Sequence, residues 1–166
     1  AILFMFIKIT MGFKDMFDKG INIETAPSIW ITIPILTLLG ITFIRISFGL
    51  EHHFSAPLAK SSLFVLTSVV LSLQIIFGVL GYMIMKKMDY FTKYIESTNK
   101  SAISFALICP GVAFMVFGMF FINYGLAYNN IIDKYSIAYF IFMLPFIYIQ
   151  MKTIIYFFKL YKKFEL

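Results

Sequence analysis

Long apolar runs separated by short, lysine-rich connections set the pattern of this chain. No charge occurs between Lys60 and Lys86, and none between Lys100 and Asp133. Each interval exceeds the about 20 residues that an α-helix needs to cross a hydrocarbon layer of roughly 30 Å. Runs such as 105–121 and 137–151 show none of the period-two alternation that a transmembrane barrel strand requires. A helix also closes its backbone hydrogen bonds within the segment, as lipid demands. The pattern therefore predicts an all-α fold, a polytopic transmembrane helical bundle. Its four complete crossings fall at about 27–50, 61–85, 101–128 and 136–158, after a partial N-terminal helix over Ala1 to Ile7 that stops at Lys8. That first stretch lacks the basic start and small-residue cleavage site of a secretory signal. It reads as the end of a helix that begins before the given sequence, in the C-terminal portion of a larger membrane protein with a missing N-terminal region, or else as a short re-entrant or interfacial helix.

Local signals refine the helices. Thr25 is a candidate cap, Pro27 suits a first turn, and Trp30 is expected at the membrane interface. Pro34, Pro110 and Pro145 fall inside the predicted crossings, where a missing N–H and a ring clash bend or break a helix. Short connections make consecutive helices antiparallel neighbours.

Composition and charge support the same class. The chain of 166 residues is 61% hydrophobic and 13% charged, with a mean hydropathy of +0.90. A soluble domain carries about 25% charged residues. The net charge of +6 is an orientation signal. Alternating crossings gather Lys8, Lys14, Lys19, Lys86, Lys87, Lys93, Lys100, Lys159, Lys162 and Lys163 on one side, and leave only Lys60 and Lys134 on the other. The positive-inside rule makes the first side cytoplasmic, with the C-terminus there, in an integral protein of a bacterial inner membrane. Membrane lipid is the expected partner, and nucleic acid is not. The single Cys109 says little about redox compartment.

Candidate chemistry is sparse. No nucleotide-binding glycine motif or nucleophilic triad occurs, so enzyme activity has no specific warrant and no cofactor is expected. Glu51, His52 and His53 resemble metal chemistry, but adjacent histidines on a helix point about 100° apart and no further ligand completes a set. They read as outer-mouth residues or an exposed connector, with no metal. Arg45 stands alone in the first crossing, positioned either to attract an anion, to pair with Glu51 or to snorkel; Lys152 in the fourth is expected to snorkel. Ser104, Gly111, Gly118 and Gly125 recur every seven residues and predict a helix-packing stripe along one face. Pro110 and Gly111 can open the helix beside a path. Phe114 can occlude that path, and Asn123 can line it or bond across helices. Phe114, Phe117 and Phe121 share roughly one face.

Pro27-Ser28-Ile29-Trp30 followed by Ile31 to Leu39, together with Ser104 to Phe114, resembles the tellurite-resistance/dicarboxylate transporter and slow-anion-channel family. The first stretch is similar to that family's Pro-Leu-Trp entrance to an inner helix, the second to its aromatic-rich helix with Phe-Pro and small residues. Phe105 stands where the family commonly has tryptophan, and Cys109 where it has phenylalanine. The resemblance implies the C-terminal half of a ten-helix protein, assembled as a homo-oligomeric trimer with a pore in each protomer. It further implies that the crossings at 27–50 and 101–128 surround the pore and that Phe114 blocks it. The leading expectation is a channel or transporter for a small anion, with Arg45 concentrating the ion and Phe114 restricting passage. The alternatives are a membrane subunit that binds a lipid, quinone or redox partner, and a structural assembly subunit.

Overall fold

The computed structural model describes residues 7, 10–12, 14, 20, 22–55, 59–97 and 100–165. The partial helix expected over Ala1 to Ile7 lies, except for Ile7, outside them, as do Lys8, Lys19 and Pro57. No strand occurs among the described residues, and four helices are long and apolar enough to cross a membrane: α1 (Ile23–Phe54), α2 (Lys60–Lys87), α3 (Ala102–Ala127) and α4 (Ile137–Glu165). The protein is an all-α helical bundle of membrane type. α4 runs past the predicted limit at Phe158, carrying Lys159, Lys162 and Lys163 on its last turns.

α1 and α3 begin alike. α1 opens as a 3-10 helix over Ile23–Ile31 and continues as an α-helix from Thr32. α3 opens as a 3-10 helix over Ala102–Leu107 and becomes α-helical at Ile108. In both, a proline is the third α-helical residue, Pro34 and Pro110 respectively. Neither can donate to the preceding turn, and each ring crowds the carbonyl four residues back, so the tighter backbone before it meets the α-helix there. The interruption expected at these prolines is thus a change of helix type. The cap of α1 is Asn22, whose side chain accepts from the Glu24 N–H at 3.2 Å; Thr25 instead donates its hydroxyl to the Asn22 carbonyl.

The helices run up, down, up and down. The starts of α1 and α3 and the ends of α2 and α4 share one core of Ala26, Met85, Leu107 and Leu160, joined by Tyr90 and Ile95 from the α2–α3 connection. Lys163 on α4 ties that connection down by donating to the Tyr94 carbonyl at 2.8 Å. Lysines 86, 87, 93, 100, 159, 162 and 163 gather at this end, and Lys60 and Lys134 at the other, so the charge asymmetry expected from the sequence exists in space. A second core of Val70, Leu71, Phe117, Ile122, Tyr139 and Phe146 joins α2, α3 and α4 further along. α3 packs against all three other helices, whereas α4 rests chiefly on α3. Only 11% of the most apolar stretch of α4 is buried, which leaves Phe140, Ile141, Leu144, Tyr148 and Met151 exposed as an apolar outward face.

The stripe of Ser104, Gly111, Gly118 and Gly125 does close contact work, but against three partners. A Cβ on Gly111 would collide with Thr153 of α4, one on Gly118 with the Phe146 ring of α4, and one on Gly125 with Thr67 of α2. Ser104 hydrogen-bonds the Tyr90 hydroxyl at 2.9 Å. A seven-residue step drifts about 20° per repeat on a straight helix, and the π-helical turn Phe121–Ala127 moves the last glycine further round.

Candidate functional site

Two cavities among the described residues collect four of the candidates, Pro110, Gly111 and Phe114 in one and Asn123 in the other. The inner one, of about 210 Å³, is lined by Trp30 and Ile33 of α1, Gln74, Ile75, Gly78 and Val79 of α2, Pro110, Gly111 and Phe114 of α3, and Ile149 of α4. Pro110, Gly111 and Phe114 are therefore brought together. The α-helical segments of α1 and α3 begin within a turn of it, at Thr32 and Ile108, neither with a side-chain cap. The Phe114 ring packs on Phe146 with centroids 5.1 Å apart, while Phe117 is fully buried against Gly40 of α1. Phe114 and Phe117 accordingly have different tasks, one facing the cavity and the other locking α1 to α3.

Trp30 bridges two helices. Its indole N–H donates to the Gly78 carbonyl at 3.0 Å, and its ring covers Gly81, so it joins α1 to α2. Beside it, Gln74 is fully buried. Its Nε2 donates to Thr37 Oγ1 at 2.8 Å and to the Ile33 carbonyl at 3.3 Å. The Thr37 hydroxyl in turn lies 3.1 Å from both the Ile33 and the Ala113 carbonyls, so three helices meet at one polar knot. Because the Ile33 carbonyl only accepts, the amide edge facing α1 must be the NH₂ edge. Gln74 Oε1 is left with no hydrogen-bond partner. The sequence signal for Gln74 was available: it is a lone amide in the uncharged run 61–85, and a polar side chain at membrane depth is a functional candidate by default.

The outer cavity, about 320 Å³, is lined by Met119, Phe120, Asn123, Tyr124, Tyr128 and Lys134. Asn123 both lines it and bonds across helices: its Nδ2 donates to the Met119 carbonyl at 2.8 Å, and its Oδ1 accepts from the Tyr139 hydroxyl at 3.4 Å. Lys60 stands over the Tyr128 ring, 5.1 Å from its centroid. The two lysines of this end thus converge on one aromatic rim.

Other candidates stay apart. Arg45 is exposed on α1, 12 residues beyond Ile33 and so about 18 Å further along the helix. It borders neither cavity and makes no ion pair with Glu51. Glu51, His52 and His53 are exposed on the last turn of α1, the two imidazoles edge to face at 5.0 Å. Among the described residues, no three of His, Cys, Asp and Glu come together. Lys152 is exposed on α4 with its ammonium over the Tyr148 ring. At the lysine-rich end, burial pushes the Tyr90 phenol above its ordinary pKa, with the bond to Ser104 acting against that shift.

The fold defines a helical integral membrane protein, with these cavities among its described residues. Comparison of the chain with protein-family models, curated proteins and solved structures gives no match.

Proposed function

We propose that this protein carries a small anion across the membrane, along the seam of α1 and α3, with Phe114 restricting the path. The observation that carries the reading is the convergence of Phe114, Pro110 and Gly111 with the start of the α1 α-helix on one cavity at membrane depth. The parallel α1 and α3 begin at Ile23 and Ala102 and direct the positive ends of their dipoles toward the lysine-rich mouth of this seam, where an anion is favoured over a cation. The wall is otherwise apolar, so an ion is held weakly enough to leave, and an aromatic ring in the narrow part controls wetting. Lys134 and Lys60 raise the local anion concentration at the outer rim, the task the sequence assigned to Arg45. The lysine-rich end is the cytoplasmic one in this reading.

Flux into liposomes reconstituted with the protein tests it. Phe114→Ala should raise anion flux several-fold, Lys134→Ala should lower it more at low than at high salt, and Arg45→Ala should leave it unchanged. The absence of protein-dependent flux for any small anion across a range of voltages overturns the proposal.

A further inference from the structure

We propose that the outer cavity binds an aryl monocarboxylate: one aromatic ring bearing, directly or through a short link, a single carboxylate. The end of α3 and the connection after it build the site. From Met119 and Phe120 the lining residues recur at steps of four or five, first Asn123 and Tyr124 and then Tyr128. The π-helical turn Phe121–Ala127, after which the Tyr128 N–H donates to the Asn123 carbonyl at 3.0 Å, keeps them on one side, and such turns recur at functional sites. Phe48 of α1 packs on both tyrosine rings, with centroids 5.4 Å from Tyr124 and 5.6 Å from Tyr128. A turn in the connection, in which the Ser136 N–H donates to the Asp133 carbonyl at 3.2 Å, returns Lys134 to the cavity wall.

Each part of the wall selects a part of the ligand. Lys134 is the single charged side chain on it, and among the described residues it has no ion-pair partner, Asp133 included. Lys60 is seated beside the wall, over the Tyr128 ring. One ammonium on the cavity matches one negative charge, which a carboxylate carries at neutral pH. Asn123 is already engaged with the Met119 carbonyl and the Tyr139 hydroxyl. The Tyr124 and Tyr128 hydroxyls have no hydrogen-bond partner among the described residues, so both are available to donate to a carboxylate oxygen. The remaining surface is Met119 and the rings of Phe120, Tyr124 and Tyr128. A hydrated inorganic anion gains nothing from these, whereas a flat ring packs on them. At about 320 Å³, against about 150 Å³ for the apolar cavity that takes up benzene, the space holds one ring and its carboxylate. The inference names a substrate class for the path proposed above and rests on that reading for onward passage. Binding is measured without flux, so the two fail separately.

The full chain in phosphatidylcholine nanodiscs is titrated into para-fluorophenylacetate and, separately, para-fluorophenylacetamide, which keeps the ring and link but carries no charge. Binding is read from the fluorine NMR linewidth, and protein-free nanodiscs correct for partition into lipid. The carboxylate should bind saturably and about tenfold more tightly than the amide, as a hydrogen bond to a charged group allows. Lys134→Gln, a change at an exposed side chain of the connection, should bring the two curves together. Acetate, which has the charge without the ring, should displace the aryl ligand only at about a tenfold excess or more. Arg45→Gln, which borders neither cavity, should leave both curves unchanged. Equal binding of carboxylate and amide in the unaltered protein overturns the proposal, as does a preference for the carboxylate that survives in Lys134→Gln. Displacement by acetate at equal concentration also overturns it, since the cavity would then hold a bare charge. Saturable carboxylate binding in a protein that shows no flux refutes the anion path and upholds the cavity assignment.

Discussion

Replacing Thr37 with valine should damage the fold more than replacing Gln74 with leucine, although Gln74 carries the larger polar group. Thr37 Oγ1 accepts from Gln74 Nε2 at 2.8 Å and shares its proton between the Ile33 and Ala113 carbonyls, both at 3.1 Å. Valine keeps the shape and deletes the hydroxyl. The Gln74 amide then retains only its 3.3 Å bond to Ile33, with Oε1 already unpartnered, and the Ala113 carbonyl loses its side-chain donor. Stranding a buried polar group costs about 1–3 kcal/mol. Leucine at position 74 has the opposite logic. It removes the unpartnered oxygen together with the NH₂ group and leaves both Thr37 donor contacts in place. The bonds it forfeits are of a kind worth on average about 0.6 kcal/mol, and at most about 1.7, between membrane helices.

The expected order is therefore a loss of about 1–2 kcal/mol for Thr37→Val, against a change between zero and a gain of about 1 kcal/mol for Gln74→Leu. The double variant should resemble Gln74→Leu, because valine strands no amide once Gln74 is gone, and the coupling between the sites should then match the Thr37→Val loss, about 1–2 kcal/mol. Reversible unfolding in mixed micelles, driven by a denaturing detergent and followed by Trp30 fluorescence and helical circular dichroism, measures all four proteins. Trp30 bridges α1 and α2 beside the knot, so its signal reports the affected interface. Additive effects, or a larger loss in Gln74→Leu than in Thr37→Val, would refute the reasoning.

Further tests address the seams, the connection and the orientation. Gly118→Val should destabilise the α3–α4 contact by about 1–3 kcal/mol in the same unfolding assay because its side chain meets the buried Phe146 ring. Gly49→Ala, with nothing within 4 Å of an added Cβ, should be neutral or stabilise by up to about 1 kcal/mol. Tyr90→Phe should cost about 1 kcal/mol by leaving Ser104 without its partner. The Tyr90 pKa is raised by burial, so its contribution is complete below the unfolded value of about 10 and falls as pH rises through the folded one. Stability from pH 9 upward should consequently decline more steeply in the unaltered protein than in Tyr90→Phe, and parallel curves would contradict this. With exposed Cys109 changed to serine, a membrane-impermeant maleimide should label Lys134→Cys in intact spheroplasts and Lys93→Cys only after lysis; the reverse pattern would invert the orientation.

The four crossings were legible because lipid imposes a length and a hydropathy on each, and their lysine-rich connections were legible because charge cannot remain in the hydrocarbon. Helix rotation was not legible in the same way. An amphipathic helix in water declares its buried face by contrast, but on α2, α3 and α4 the lipid face and the packed face are both apolar, so that contrast is nearly lost. Arg45 drew attention as an isolated charge, yet nothing in its neighbourhood of Phe43, Ile44 and Ile46 reveals that it is rotated away from the bundle. Residues whose burial has a chemical consequence carry more rotational information. Gly40, Gly81, Gly111 and Gly118 each receive a larger side chain from a neighbouring helix, and Gln74 has to turn its amide toward a partner because lipid offers none. Even these left their partners unnamed, since the same seven-residue repeat that meets α4 at Gly111 and Gly118 meets α2 at Gly125 after a single π-helical turn. In a chain of this composition, small residues and lone amides are therefore better guides to the interior than isolated charges: a charge can escape to the bilayer surface by snorkelling, whereas a short amide at mid-membrane depth must be met inside the protein.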